Sequence, residues 1–110
     1  MLRIPCPYLG SVVELTTERE QHIQDSHPDL LPAYLDQFVV TVADPGEVRL
    51  DEFRDATRLF SRWFPEVKGG KFIVVAIVSN PAPARRHWVR TAYIARRLVT
   101  RTVEWKRDSQ

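Results

Sequence analysis

The sequence predicts an α+β fold in which two N-terminal helices pack on one face of an antiparallel sheet of four to five strands. Apolar residues recur at helical spacing within residues 18–42 and at a spacing of two from residue 47 onward. Helices that precede the strands, rather than alternate with them, are typical of α+β proteins. The 110 residues fit a single domain, residues 1–110, with its core at about 12–105. Residues 1–11, which include two prolines, are predicted to be irregular.

The first helix has recognisable ends. A short strand at residues 12–15 precedes Thr16 and Thr17, which both offer N-cap side chains. The helix is predicted over about residues 18–26. Pro28 ends it, because the residue before a proline disfavours the α conformation.

The second helix is predicted to begin near Asp29, whose side chain can cap it. Its apolar positions follow a spacing of three and four, which gives one buried stripe. They are Leu31, Tyr34, Leu35, Phe38, Val39 and Val42. Turn residues at 44–46 then end the helix.

The C-terminal half contains the strands. Strands are predicted at residues 47–50, 57–64, 71–79 and 87–95. The run at 71–79 is continuously apolar and rich in β-branched residues, so it is expected to be the central strand, buried on both faces. The charged stretch at 96–107 is predicted to form an anchoring strand or a short helix.

Composition narrows the class of protein. No apolar run reaches 18 residues, so no membrane-spanning helix is expected. The only cysteine, Cys6, has no partner for an internal disulfide, which favours a reducing compartment such as the cytoplasm. The sequence has no zinc-ligand spacing, no phosphate-binding glycine loop and no nucleophile elbow. We therefore expect no metal and no cofactor.

Positive charge is concentrated in the second half of the chain. Residues 1–66 carry six Lys or Arg and twelve Asp or Glu, whereas residues 67–107 carry ten Lys or Arg and one Glu. This division predicts a basic surface that faces a polyanion such as RNA. The alternative is a solvated surface with unevenly distributed charge.

Three histidines are the candidates for proton transfer near neutral pH: His22, His27 and His87. His22 and His27 lie five residues apart, which is about 140° around a helix, so they are not a metal-binding pair. The alternative for both is an ordinary role on the helix surface. For His27, that role is interaction with the helix dipole at the C-terminal end.

Residues that could hold RNA occur on two predicted strands. Alternation along 87–95 places His87, Thr91 and Tyr93 on one face, where they could bind a phosphate or stack a base. Arg58 and Arg62 share a face of strand 57–64 with two phenylalanines, a composition typical of binding to unstacked RNA. Lys71 is a further phosphate-binding candidate. Ordinary exposed strand residues with protective charges are the alternative.

Histidine, arginine, threonine and tyrosine together suit cleavage of RNA by attack of its own 2′-hydroxyl. That reaction needs a base for the 2′-hydroxyl, an acid for the leaving oxygen and cations around the phosphorane. For this reaction the protein need supply neither a metal nor a nucleophile.

The order of several segments resembles the phage-associated branch of the barnase–EndoU–colicin–RelE-like nuclease superfamily. The resemblance covers about residues 12–105. It is carried by the run Leu15-Thr16-x-Glu18-Arg19-x-x-His22-Ile23-x-x-x-His27-Pro28, by Asp44-Pro45, by Leu59-Phe60-Ser61-Arg62-Trp63-Phe64, by Gly70-Lys71-Phe72-Ile73-Val74-Val75, by Arg90-Thr91-Ala92-Tyr93 and by Val103-Glu104-Trp105.

The resemblance implies N-terminal helices against an antiparallel four-stranded sheet and metal-independent RNA cleavage. Carried over residue by residue, it implies that His22 and His27 lie at the helix edge of the site and act as general base or acid in an unassigned order. It implies that Arg62 is the phosphate-binding cation, and that Thr91 and Tyr93 lie in the site on the last core strand. Arg90, beside them, is a further RNA-binding candidate.

Three functional hypotheses remain open from the sequence. The first is an endoribonuclease, a hydrolase-like enzyme of toxin type or associated with phage, whose partners would be RNA and a cognate inhibitor protein. The second is an RNA-binding domain without catalysis. The third is a protein-interaction domain that uses the acidic N-terminal part. An exposed sheet edge and two tryptophans, Trp63 and Trp105, also suggest a homodimer.

Overall fold

The computed structural model describes residues 1–81 and 83–108, which form seven strands and two α-helices. A one-turn 3₁₀ helix, Pro7–Leu9, joins the first two strands. The elements in chain order are β1 Leu2–Cys6, β2 Ser11–Leu15, α1 Thr17–Ser26, α2 Leu35–Ala43, β3 Glu47–Leu50, β4 Thr57–Phe64, β5 Lys71–Ser79, β6 His87–Ala95 and β7 Thr102–Lys106.

All seven strands belong to one sheet, in the order β1-β2-β6-β5-β4-β3-β7. β5 lies at its centre, as its continuous apolar run predicts. Every neighbouring pair is antiparallel except β2 and β6, which are parallel and pair at Glu14 and Trp88. The predicted α+β class is confirmed, but the prediction of an antiparallel sheet of four to five strands is wrong.

The two outermost strands account for most of that difference. β1 contains Pro5 and falls in the segment predicted to be irregular. A proline is tolerated there because an edge strand need not donate every backbone hydrogen bond. β7 is mostly exposed and pairs with β3 through its backbone. The stretch predicted to form an anchoring strand or a short helix thus forms the strand, because backbone pairing with β3 does not require apolar side chains.

The helices begin close to capping residues or after prolines. The Thr16 hydroxyl accepts a hydrogen bond from the Arg19 backbone N–H at 3.2 Å and caps α1. α2 begins at Leu35 rather than near Asp29, because Pro32 removes a backbone donor and restricts the residue before it. No helix in the described part of the chain is both long enough and apolar enough to cross a membrane.

The main core lies between the helices and one face of the sheet. Phe38 of α2 and Phe60 of β4 are its largest fully buried side chains. Ile23 of α1 and Ile73 of β5 are also fully buried in this core. Burial of a side chain of this size contributes about 1.5–3 kcal/mol. The helix-facing side of the sheet is therefore buried in the core.

The opposite face of the sheet, here called the open face, carries a smaller apolar cluster. Leu59, Val74 and Ala76 are buried there, with Tyr93 and Leu98 packed against them. No helix of the described chain covers this cluster. Side chains from the loops at residues 51–56 and 96–101 surround it instead, with Arg19 and His22 of α1 at one edge. The open face is therefore the side of the sheet on which a ligand can reach the strands.

A β-bulge in β6 changes which side chains reach the open face. Thr91 pairs with Ala76, and Val89 pairs with the next residue of β5, so Arg90 between them is the additional residue. Val89 therefore belongs to the main core, whereas Tyr93 packs on the open face. The predicted shared face of His87, Thr91 and Tyr93 is wrong, because the bulge breaks the alternation between His87 and Thr91.

Candidate functional site

A cavity of about 410 Å³, here called the first cavity, lies on the open face with α1 at its rim. β4, β5 and β6 form its floor, and two loops and α1 form its walls. The floor consists of Leu59, Ala76, Thr91 and Tyr93, and the walls of Arg19, His22, Asp51, Arg54, Arg90, Val99 and Arg101. These residues come from separate parts of the sequence.

The first cavity is strongly cationic. Four arginines and one histidine line it, against one carboxylate, Asp51. Arg101 pairs with that carboxylate, with 3.4 Å between Nε and Oδ1. Arg19, Arg54 and Arg90 form no ion pair with any residue that the structure describes. A concave surface with several free positive charges raises the local concentration of anions.

Arg90 is the most informative of these cations. Its Nη1 atom is buried, and no group within residues 1–81 and 83–108 accepts a hydrogen bond from it. A buried donor without an acceptor is unfavourable, and it is more so when the donor is charged. A phosphate oxygen would supply that acceptor with a charge-assisted hydrogen bond. Arg90 is the additional residue of the bulge, so it lines the first cavity together with Thr91, the next residue along the chain.

Tyr93 supplies a neutral hydrogen-bond donor in the floor. Burial raises the pKa of its phenol, and this outweighs the opposing effect of nearby Arg101. The phenol therefore keeps its proton at neutral pH. The His27 ring lies beside it, with 6.2 Å between the two ring centroids, a distance typical of interacting aromatic side chains.

The predicted catalytic residues converge only in part. His22, Thr91 and Tyr93 line the first cavity, and His27 is adjacent through Tyr93. Arg62 lies elsewhere. Its Nη1 atom donates to the backbone oxygen of Asp44 at 2.6 Å and pairs with the carboxylate of Asp44 at 2.9 Å. The cation that the resemblance assigns to phosphate binding is thus already engaged, outside the first cavity.

Of the predicted RNA-binding residues, Arg90 alone lines the first cavity. Lys71 donates from Nζ to the backbone oxygen of Lys68 at 2.9 Å, within the turn between β4 and β5. His87 Nδ1 is 2.7 Å from the Ser79 hydroxyl, and burial, followed by the charge of Arg58, lowers its pKa. Both lie away from the first cavity.

Arg58 belongs to a hydrogen-bonded group that joins β4 to β7. Its Nε atom donates to Glu104 Oε1 at 2.8 Å, and the Tyr8 hydroxyl donates to the same oxygen at 2.6 Å. Burial, then the hydrogen bond to Glu104, raises the pKa of Tyr8 to about 12. Arg58 therefore has a structural partner rather than a free position for RNA.

The raised pKa of Tyr8 predicts that this hydrogen-bonded group stabilises the fold less at high pH. Because the folded-state pKa of Tyr8 exceeds its unfolded value of about 10, its contribution is fully present below pH 10 and is lost as pH rises through about 12. We expect the free energy of unfolding, measured with urea between pH 9 and pH 11.5, to fall less steeply in Tyr8→Phe than in wild type. Tyr34→Phe is the matched control. Equal slopes in wild type and Tyr8→Phe would contradict the assignment.

Sequence reasoning missed Arg19, Arg54, Asp51 and Arg101 as site residues. Arg19 precedes His22 by three residues and so shares its helix face, a signal that was available in the sequence. Arg54 and Arg101 lie in loops, where no periodicity relates them to each other. Only the tertiary structure places these loop arginines at one cavity.

Comparison of this chain with protein-family models, curated proteins and solved structures finds no match. Within residues 1–81 and 83–108, no group of three or more His, Cys, Asp or Glu side chains is placed to hold a metal ion. The geometry and charge of the first cavity are therefore the basis for inferring a function.

Proposed function

We propose that this protein binds RNA in the first cavity and cleaves it by attack of the RNA's 2′-hydroxyl on the adjacent phosphate. The observation that carries the proposal is the convergence of His22, Thr91 and Tyr93 with four arginines around one cavity. Anion-binding groups alone would suit many ligands. Histidine and a protonated tyrosine beside them add the proton transfers that this reaction requires. The resemblance to the nuclease superfamily implies the same chemistry.

In the proposed reaction, the 2′-oxygen forms a bond to phosphorus and the bond from phosphorus to the 5′-oxygen breaks. His22, exposed at the rim, takes the proton from the 2′-hydroxyl. Tyr93, which keeps its proton at neutral pH, donates it to the leaving 5′-oxygen. The proton on His22 then restores Tyr93 through solvent, and the products are a 2′,3′-cyclic phosphate and a free 5′-hydroxyl.

The remaining residues bind and orient the substrate. Arg90 and Arg101 balance the negative charge that develops on the phosphorane, an effect that is strongest where water is excluded. The Thr91 hydroxyl is a donor to a non-bridging phosphate oxygen. His27 lies against the Tyr93 ring and positions the phenol.

The experiment is cleavage of a 5′-labelled oligoribonucleotide by the purified protein in the presence of EDTA. We expect products that end in 2′,3′-cyclic phosphate, and no cleavage where the 2′-hydroxyl is replaced by hydrogen. Salt-dependent binding without cleavage would contradict catalysis and indicate an RNA-binding domain instead. Absence of binding at low salt would contradict the proposal as a whole.

A further inference from the structure

A second cavity, of about 510 Å³, lies beside the first on the open face. Five cations line it: Arg49, Arg62, Arg96, Arg97 and Lys106. Arg49 and Arg62 are paired with carboxylates. Arg96, Arg97 and Lys106 have no ion pair among the residues described in the structure. The second cavity therefore retains free positive charge that the proposed reaction does not use.

The two cavities are neighbours along the sheet. Leu59 of β4 lies in the floor of the first cavity, and Ser61 of the same strand lines the second. Two residues along a strand span about 7 Å. Leu98 and Val99 lie between the cavities, and the space beneath them is only about 10 Å³. A flexible chain molecule that occupies both cavities therefore passes over these two side chains.

The segment at residues 96–101 connects the charges of the two cavities. Its first two residues, Arg96 and Arg97, line the second cavity, and its last residue, Arg101, lines the first. Leu98 packs on the apolar cluster between them and anchors the segment. The arrangement gives a series of cations along the open face, which fits the repeating charges of a nucleic-acid backbone.

Trp63 gives the second cavity an aromatic surface. Trp63 is 51% exposed. Its ring rests on Gly70, where a Cβ atom would lie 2.8 Å from Trp63 Cζ2. Gly70 has φ +105°, a conformation that side-chain-bearing residues rarely adopt. Contact with Gly70 therefore supports one side of the ring, and the exposed side is available for a base to stack on.

We propose that the second cavity is a subsite for the nucleotides next to the cleaved phosphate, with Arg96 and Arg97 on the backbone and Trp63 stacked on a base. This inference rests on the proposed function. It assigns single-stranded RNA of several nucleotides as the ligand, because bases paired in a duplex are not available to stack on Trp63.

The test compares cleavage of a dinucleotide with cleavage of a single-stranded hexanucleotide, and measures hexanucleotide binding by fluorescence anisotropy. For Trp63→Ala and for Arg96→Ala/Arg97→Ala, we expect kcat/KM for the hexanucleotide to fall about 5- to 100-fold. Dinucleotide cleavage should change by less than about twofold. Arg3→Ala/Arg85→Ala, which removes two exposed arginines outside both cavities that have no ion pair among the described residues, is the matched control and should leave both substrates unaffected.

The outcomes separate the two proposals. Equal losses for both substrate lengths, or a wild-type protein that cleaves both lengths equally well, would overturn the subsite and leave the proposed reaction standing. Hexanucleotide binding that depends on Trp63 and Arg96, without cleavage of either substrate, would overturn the reaction and support the subsite. If Trp63→Ala and Arg96→Ala/Arg97→Ala both bind the hexanucleotide as tightly as wild type, the subsite is overturned whether or not cleavage occurs.

Discussion

Replacement of His22 by alanine is expected to lower kcat for RNA cleavage about 100- to 10,000-fold, the usual contribution of a positioned acid or base. His22 is exposed on α1 at the rim of the first cavity, so its truncation removes little packing. The thermal unfolding temperature should therefore stay within about 2 °C of wild type. A large loss of rate with an intact fold is the expected signature of proton transfer.

His87→Ala is the matched control, because it removes a residue of the same type from the same molecule. His87 is hydrogen-bonded to the Ser79 hydroxyl and does not line the first cavity, so the rate of RNA cleavage should be unchanged. Tyr93→Phe is the second variant. It retains the ring beside His27 and removes only the hydroxyl, so it should lower kcat more than it raises KM. Cleavage by His22→Ala at the wild-type rate would eliminate His22 as the base.

The central strands could be predicted from sequence because their signals are long and local. β4, β5 and β6 begin and end at the predicted residues, since each has eight or nine residues in a clear pattern. β1 could not be predicted in the same way. It is short, contains Pro5 and exists because β2 pairs with it. Pairing between strands is not visible in the local periodicity of either one.

The site was less predictable than the fold, for two physical reasons. A single inserted residue at Arg90 reverses the faces of all following residues in β6, and a period-two pattern contains no sign of it. The charge distribution along the sequence also predicted that the cationic surface would come only from the second half of the chain. Arg19 and Arg54, from the acidic half, line the first cavity with Arg101 from the basic half. Net charge along the sequence does not determine local charge in space.

Arg90→Met is expected to weaken RNA binding and to stabilise the free protein. In the free protein, the buried Nη1 of Arg90 has no acceptor among the described residues, and an unsatisfied donor of this kind costs about 1–3 kcal/mol. Because the Arg90 side chain is only half-buried, a gain of about 1 kcal/mol is expected. Methionine fills much of the same space with apolar atoms and needs no acceptor.

The expected loss of RNA affinity in Arg90→Met also results from the removal of Nη1. A charge-assisted hydrogen bond to phosphate contributes about 1.5–3 kcal/mol, so the dissociation constant for a hexanucleotide should rise about 10- to 150-fold. The slope of log affinity against log salt should also fall by about one, since one phosphate contact is removed. Urea unfolding and fluorescence anisotropy over a salt series measure the two effects separately.

Arg3→Met is the control for this experiment, because Arg3 is exposed on β1 and lies outside both cavities. It should change neither property beyond about 0.5 kcal/mol. A less stable Arg90→Met protein would show that Arg90 has a structural role, and unchanged RNA affinity would remove it from the binding site. Opposite changes in stability and affinity would instead mean that Arg90 is held in an unfavourable free state that a phosphate relieves, as expected for a residue positioned for its ligand.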